Sequence, residues 1–326
     1  MRAIFPGPLT KYQALAVITV SLTLALIAVG AVVRTTGSGL GCPDWPLCHG
    51  RLVPPLERTA IIEYSHRSLA ALVGLLIVAT SAVTLRTRTR DRAARTLAVV
   101  VLPLLALQAY LGKVTVEREL PPEVVAIHLG TALVLVSLLG VIAAFAILGE
   151  GRTRLQSAER TAFLRRVTIV VATVAGVLLI GAYVVGAGAT TACTTWPGCA
   201  QASLPFLDGE REQHIHWLHR LTVLLGLGFV GWLRFEVDRL QEPSEGVRFG
   251  VKMLLMLYVA QITIGWLNIV TRFSAVALVS HLALAAAIWT TLVLILVAGR
   301  YAAQPALAPE RAGHLAGTGA RAGSRG

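Results

Sequence analysis

Charge is the component this sequence has least of. Only 14% of its 326 residues are Asp, Glu, Lys or Arg, 55% are hydrophobic and the mean hydropathy is +0.71. Soluble domains carry roughly 25% charge, so a surface facing water on all sides is excluded and a membrane protein is implied. A small-residue cleavage site after the first apolar run is also missing. That run, of about 20 residues, exceeds a signal-peptide core and is expected to stay as a membrane helix. Cysteine is absent from every long apolar run; the four present are Cys42, Cys48, Cys193 and Cys199. Neither half of the chain offers a matching set of His, Cys or carboxylates for a tetrahedral metal, which argues against a structural zinc site.

What is present is a series of apolar runs. Eight are long enough to cross a core of about 30 Å as helices, at 14–33, 63–85, 96–116, 123–148, 165–187, 213–233, 250–270 and 274–298. A pI near 10.4 raises the question of nucleic acid, but the basic residues are scattered over loops and sort by alternate sides. Twenty Lys and Arg, including Arg86, Arg88, Arg90, Arg92 and Arg95, fall on one side and nine on the other. The positive-inside rule then puts both termini in the cytoplasm and the cysteine loops, 35–62 and 188–212, outside. The expected order is a cytoplasmic N-terminus (1–13), a four-helix half (14–148), a cytoplasmic linker (149–164), a second four-helix half (165–298) and a disordered tail (299–326) rich in Ala, Gly and Arg.

The halves are copies. Gly30-Ala31, Gly37, Cys42, Trp45-Pro46 and Cys48 recur 151 residues on as Gly181-Ala182, Gly188, Cys193, Trp196-Pro197 and Cys199. His66-Arg67, Gln108, Gly112 and His128-Leu129 recur 153 residues on as His219-Arg220, Gln261, Gly265 and His281-Leu282. Four helices return a chain to its starting side, so the halves share one topology and relate by an axis along the membrane normal. The fold class is therefore all-α membrane protein, eight transmembrane helices as two pseudo-twofold-related four-helix bundles.

His66, His128, His219 and His281 each lie one to two turns into an even-numbered helix entering from the outer side. Two helices of one bundle can face two imidazoles across its interior, as bis-histidine haem sites do. Four hydrogen-bonded packing histidines are the plainer reading, and repetition in register favours ligands. The neighbouring His214 and His216 read as polar neighbours of His219. Each cysteine pair has the spacing C-x5-C on the oxidising side, and two structural disulfides are preferred over redox-active pairs.

The halves also differ. Glu63 and His66, three apart, share a helix face, whereas the second half has His216 in place of Glu63. A wetted interfacial pair is the plainer reading of Glu63 and His66; an ionisable group at a membrane helix marks function by default. The first outer loop is the more elaborate, so chemistry is expected in the first half.

The stretch GAVVRTTGSGLGCPDWPLCHG, followed by IIEYSHR, a histidine in the fourth helix and a degenerate second copy, resembles the haem A synthase family in its bacterial form. The likeness covers about residues 14 to 298. It implies oxidation of a ring methyl of haem O, through a hydroxymethyl stage, to the formyl group of haem A for cytochrome oxidase biogenesis. It implies that His66 and His128 flank the substrate haem, that Glu63 is the essential carboxylate, and that His219 and His281 hold the iron of a haem b cofactor. The four cysteines match the family's pairs. Haem propionates at the outer face would pair with Arg34, Arg67 and, in the second half, Arg220. The implied setting is a bacterial cell membrane. Haem O synthase and cytochrome oxidase assembly factors are the implied partners, with a homo-oligomer as a further expectation. The competing class is a bis-haem b electron-transfer subunit, which explains the histidines but neither Glu63 nor the unequal loops. A transporter, suggested by the repeat, would want Gly/Pro-interrupted helices.

Overall fold

In the computed structural model the described residues are 8–149, 153–154, 158–199, 209–240 and 244–302. Among these described residues the architecture is eight long helices: α1 Lys11–Thr35, α2 Arg58–Thr87, α3 Arg92–Glu117, α4 Pro122–Leu148, α5 Ala158–Gly186, α6 Arg211–Arg239, α7 Glu245–Val270 and α8 Ala275–Arg300. At several of them a side chain or a proline resolves the unpaired amides of the first turn. Thr10 and Gln13 form a capping box at α1, Asp91 caps α3, Pro121 and Pro122 open α4, and Ser244 and Ser274 cap α7 and α8. The helices outrun the apolar stretches because their ends carry polar residues; α2 starts at Arg58 and α5 at Ala158. Pro103 lies inside α3 without ending it, so a proline does interrupt one of the apolar runs.

Among the described residues seven helices are long and apolar enough to cross a membrane. The eighth expected span, α6, falls short on composition: it carries Gln213, His214, His216, His219 and Arg220 near one end and Arg234, Glu236 and Asp238 near the other. At 29 residues it is roughly 44 Å long, and it packs along both α5 and α7, which makes it the eighth member of the assembly.

Helices α1 to α4 pack as one ring and α5 to α8 as its copy, each helix touching its equivalent neighbours. The bundles meet along α4 and α8, with Trp289 Nε1 donating to Ser137 Oγ across the seam (2.8 Å). The seam departs from strict symmetry, because α1 packs on α8 far more extensively than α5 does on α4. The second bundle has the larger core, with Val167, Val174, Leu233, Leu254, Leu292 and Ile295 at the end away from its disulfide loop. Val73, Ile77, Val101, Leu135 and Leu139 fill the first.

Repetition extends to the backbone. The α3–α4 turn has positive φ at Glu119 and Leu120, and the α7–α8 turn has it at Arg272 and Phe273, 153 positions on. Neither pair contains the Gly or Asn that favours the left-handed region, so helix packing imposes that conformation against their preference. At the end of the bundles away from the disulfide loops, β1 Thr153–Arg154 pairs antiparallel with β2 Tyr301–Ala302. Helix α8 and β2 thus occupy the first residues of the expected tail, whose remainder, 303–326, lies outside the described residues along with parts of the expected linker.

Candidate functional site

Counted from the helix starts, His66 and His219 are eight residues into α2 and α6, and His128 and His281 six residues into α4 and α8. At 1.5 Å per residue these are depths of about 12 and 9 Å, close to one level. His66 lies within electrostatic range of His128, and His281 of His219. Each pair sits on non-adjacent helices of its own ring.

All four imidazoles are seated in one manner. A Cβ placed on Gly30 would meet Cε1 of His66 at 3.3 Å, on Gly112 that of His128 at 3.3 Å, on Gly181 that of His219 at 3.1 Å, and on Gly265 that of His281 at 3.4 Å. Four glycines on the odd-numbered helices therefore clear the space into which the rings lean. All four Nδ1 atoms are buried with no hydrogen-bond partner among the described residues. An unsatisfied buried nitrogen costs about 1–3 kcal/mol, a cost that histidines kept for packing avoid by bonding. The arrangement suits a group that takes two imidazole nitrogens per bundle. The repeated glycines are visible in the sequence; their contact with the rings is not.

Both disulfides are formed, Cys42–Cys48 with Sγ–Sγ 2.00 Å and Cys193–Cys199 with 2.01 Å. An arginine clamps each loop from below. Arg67 Nη1 donates to the carbonyls of Asp44 (2.6 Å) and Leu47 (2.9 Å), and Nη2 to that of Cys42 (2.7 Å). Arg220 makes the equivalent bonds to Thr195 (2.7 Å), Gly198 (2.5 Å) and Cys193 (3.1 Å). These two guanidinium groups, expected at the propionates, point into the loops instead, because carbonyls at a loop turn need the fork of donors that arginine supplies. Arg34 is exposed at the end of α1, and its guanidinium has no hydrogen bond among the described residues and remains available to an anion. In the first loop Asp44 also gathers the amides of His49 (2.6 Å) and Gly50 (2.7 Å). The Gly50 amide first, then that of His49, holds its carboxyl below the ordinary range. A depressed carboxyl supports the loop above its unfolded pKa and loses that support as pH falls through the folded one.

Glu63 is 4% exposed, and its Oε1 accepts from Arg67 Nε at 2.9 Å. No hydrogen bond to Oε2 occurs among the described residues. The second half supplies an internal control: Arg220 grips its loop with no carboxylate beside it among the described residues. There His216, 9% exposed, turns Nδ1 to the carbonyl of Ala189 at 3.0 Å. Clamping the loop therefore does not require Glu63. His214 is exposed and bonds the Glu210 carbonyl at 2.8 Å, so neither extra histidine joins the His219 and His281 pair.

Comparison with known proteins is decisive at this point, since the profile of the cytochrome oxidase assembly protein family COX15-CtaA matches residues 13–61 and 56–293. The chain belongs to that family. Among curated relatives, the haem A synthase of Symbiobacterium thermophilum is 31% identical over 82% of this chain and 90% of its own length. That of Bacillus licheniformis is 27% identical over 82% and 89%, and that of Exiguobacterium sibiricum 32% identical over 70% and 75%. The matched span takes in both disulfide loops and all four histidines.

Proposed function

We infer that this multi-pass membrane protein is a haem A synthase, an oxidising enzyme that takes a ring methyl of haem O to a formyl group. The observation that carries the reading is the buried Glu63, an acid found one turn from a histidine in only one of two otherwise matching halves. The N-terminal half (14–148) is the substrate half, with haem O between His66 and His128. The C-terminal half (165–298) is the cofactor half, with haem b held by His219 and His281. When bound there, haem b supplies one-electron redox chemistry. The four seats on glycine, one per ring, support a pair of ligands in each half.

Within the substrate half the residues divide the work. Oxidising a methyl carbon withdraws electrons beside the ring and releases protons. A fixed carboxylate stabilises the developing positive charge and accepts a proton. Because Oε1 of Glu63 is engaged by Arg67, Oε2 is the atom left to receive it. Arg67 thus orients the carboxylate while closing the loop above it. Arg34 is the arginine free to meet a propionate. Membranes from a strain with and without the protein separate this reading from an electron carrier: extracted pigment should contain haem A only when the protein is present, and haem O alone in both would overturn it.

The orientation follows from the basic loops, with both termini cytoplasmic and the disulfide loops outside. A cysteine introduced near Arg90 should resist a membrane-impermeant thiol reagent added to intact cells and react after lysis. Equal labelling before lysis would reverse the topology. Haem O synthase, as supplier, and oxidase assembly factors, as receivers, are the partners this activity calls for.

A further inference from the structure

The two halves anchor their second histidine through the same glutamine, but not with the same result. Gln108 Nε2 donates to the backbone carbonyl of His128 at 3.1 Å and lies 3.4 Å from His128 Nε2. Thr131 Oγ1 donates to Gln108 Oε1. The carbonyl of His128 can only accept, so the amide nitrogen must face it; the Thr131 hydroxyl also lies 3.0 Å from the carbonyls of Ile127 and His128, but the amide oxygen is the nearest of its three acceptors and takes its one proton. Orientation of the amide is thereby determined. In the second half Gln261 Nε2 donates to the His281 carbonyl at 3.0 Å, but Leu284 stands where Thr131 stands. Gln261 Oε1 is left buried and unpartnered, and no bond joins Gln261 to His281 Nε2 among the described residues. The rings themselves are seated alike, on Gly112 and Gly265. The difference lies in the amide.

An imidazole nitrogen has one lone pair, and a metal needs the one that an amide N–H would occupy. Gln108 Nε2 lies against the Nε2 edge of His128, and an amide N–H can only donate, so in the tautomer with its proton on Nδ1 the ring accepts there through the lone pair a metal would use. We propose that Gln108, held by Thr131, is a positioning residue that makes His128 an exchangeable haem ligand, whereas Gln261, without that anchor, leaves His281 a permanent one. This rests on the assignment of substrate to the first half. There a haem must arrive and a product must leave, while the cofactor of the second half stays.

Replacing a metal bond by one neutral hydrogen bond assists release by roughly 3- to 10-fold. The test uses the purified full-length protein loaded with haem, with excess apomyoglobin as acceptor and the rate of haem transfer as readout. In a His219→Ala background, where the first half is read alone, Gln108→Leu and Thr131→Val should each slow transfer by that factor, and Thr131→Ser should keep the parent rate. In a His128→Ala background, where the second half is read alone, Leu284→Thr should speed transfer. Unchanged rates for Thr131→Val and Leu284→Thr overturn the proposal even if Gln108→Leu fails to fold. Should His128→Ala leave haem in the first half undisturbed, the ligand assignment itself fails, a result distinguishable from the failure of the glutamine switch.

Discussion

A strain whose only copy of the gene encodes Glu63→Gln should fold the protein, bind its haems and make almost no haem A. Glutamine keeps the shape and most of the hydrogen bonding of the carboxylate but removes its charge and its capacity to take a proton. Loss of one well-placed electrostatic group lowers turnover roughly 10²- to 10³-fold, enough for haem O or a hydroxylated intermediate to accumulate. A structural account of Glu63 predicts collapse of the first loop instead. The second half argues against that account, since Arg220 bonds the carbonyls of Cys193, Thr195 and Gly198 with His216 where the acid would be. The measurement is the fractions of haem O, intermediate and haem A in extracted pigment, with haem content of the purified variant as control. Wild-type levels of haem A would remove Glu63 from the chemistry.

The second large effect concerns the cofactor. His219→Ala or His281→Ala should each abolish the low-spin haem signal of the C-terminal half, because losing one axial nitrogen leaves the iron five-coordinate and weakly held. The alanine variants should still insert into the membrane. Neither ring bonds a neighbour through Nδ1, and each leans on a glycine whose cleared space tolerates a smaller side chain. Haem bound between His66 and His128 should survive both changes, since those residues stand in the other bundle. Absorbance spectra and haem-to-protein ratios of the two variants decide the matter. Normal low-spin spectra in both would mean that the four histidines pack and do not ligate.

Much of this was legible along the chain because it is written in local spacing. Apolar runs of membrane length, basic residues on alternate loops and identities recurring at displacements of 151 and 153 are one-dimensional properties. They yielded the membrane class, the duplicated four-helix plan, the cysteine pairs and the four histidines. Even α6, whose Arg, Glu and His lower its hydropathy below that of its neighbours, was legible through its match to α2.

Partner choice was not. Arg67 and Arg220 look like propionate ligands in the sequence and turn out to hold loop carbonyls 20 to 27 positions away. The reason is that a guanidinium bonds whatever acceptors the folded loop brings to it, and the loop's path is set by its disulfide and by close packing such as Gly41 against the backbone of Thr59. Similarly, the glycines beside the histidines and the Thr131 anchor of Gln108 depend on how closely α1 approaches α2 and α3 approaches α4. Sequence by itself determined which residues repeat and roughly how deep they sit. Only the tertiary structure decided which of them touch, because helix separation and side-chain direction are properties of packing across the bundle and leave no trace in the spacing along one strand of chain.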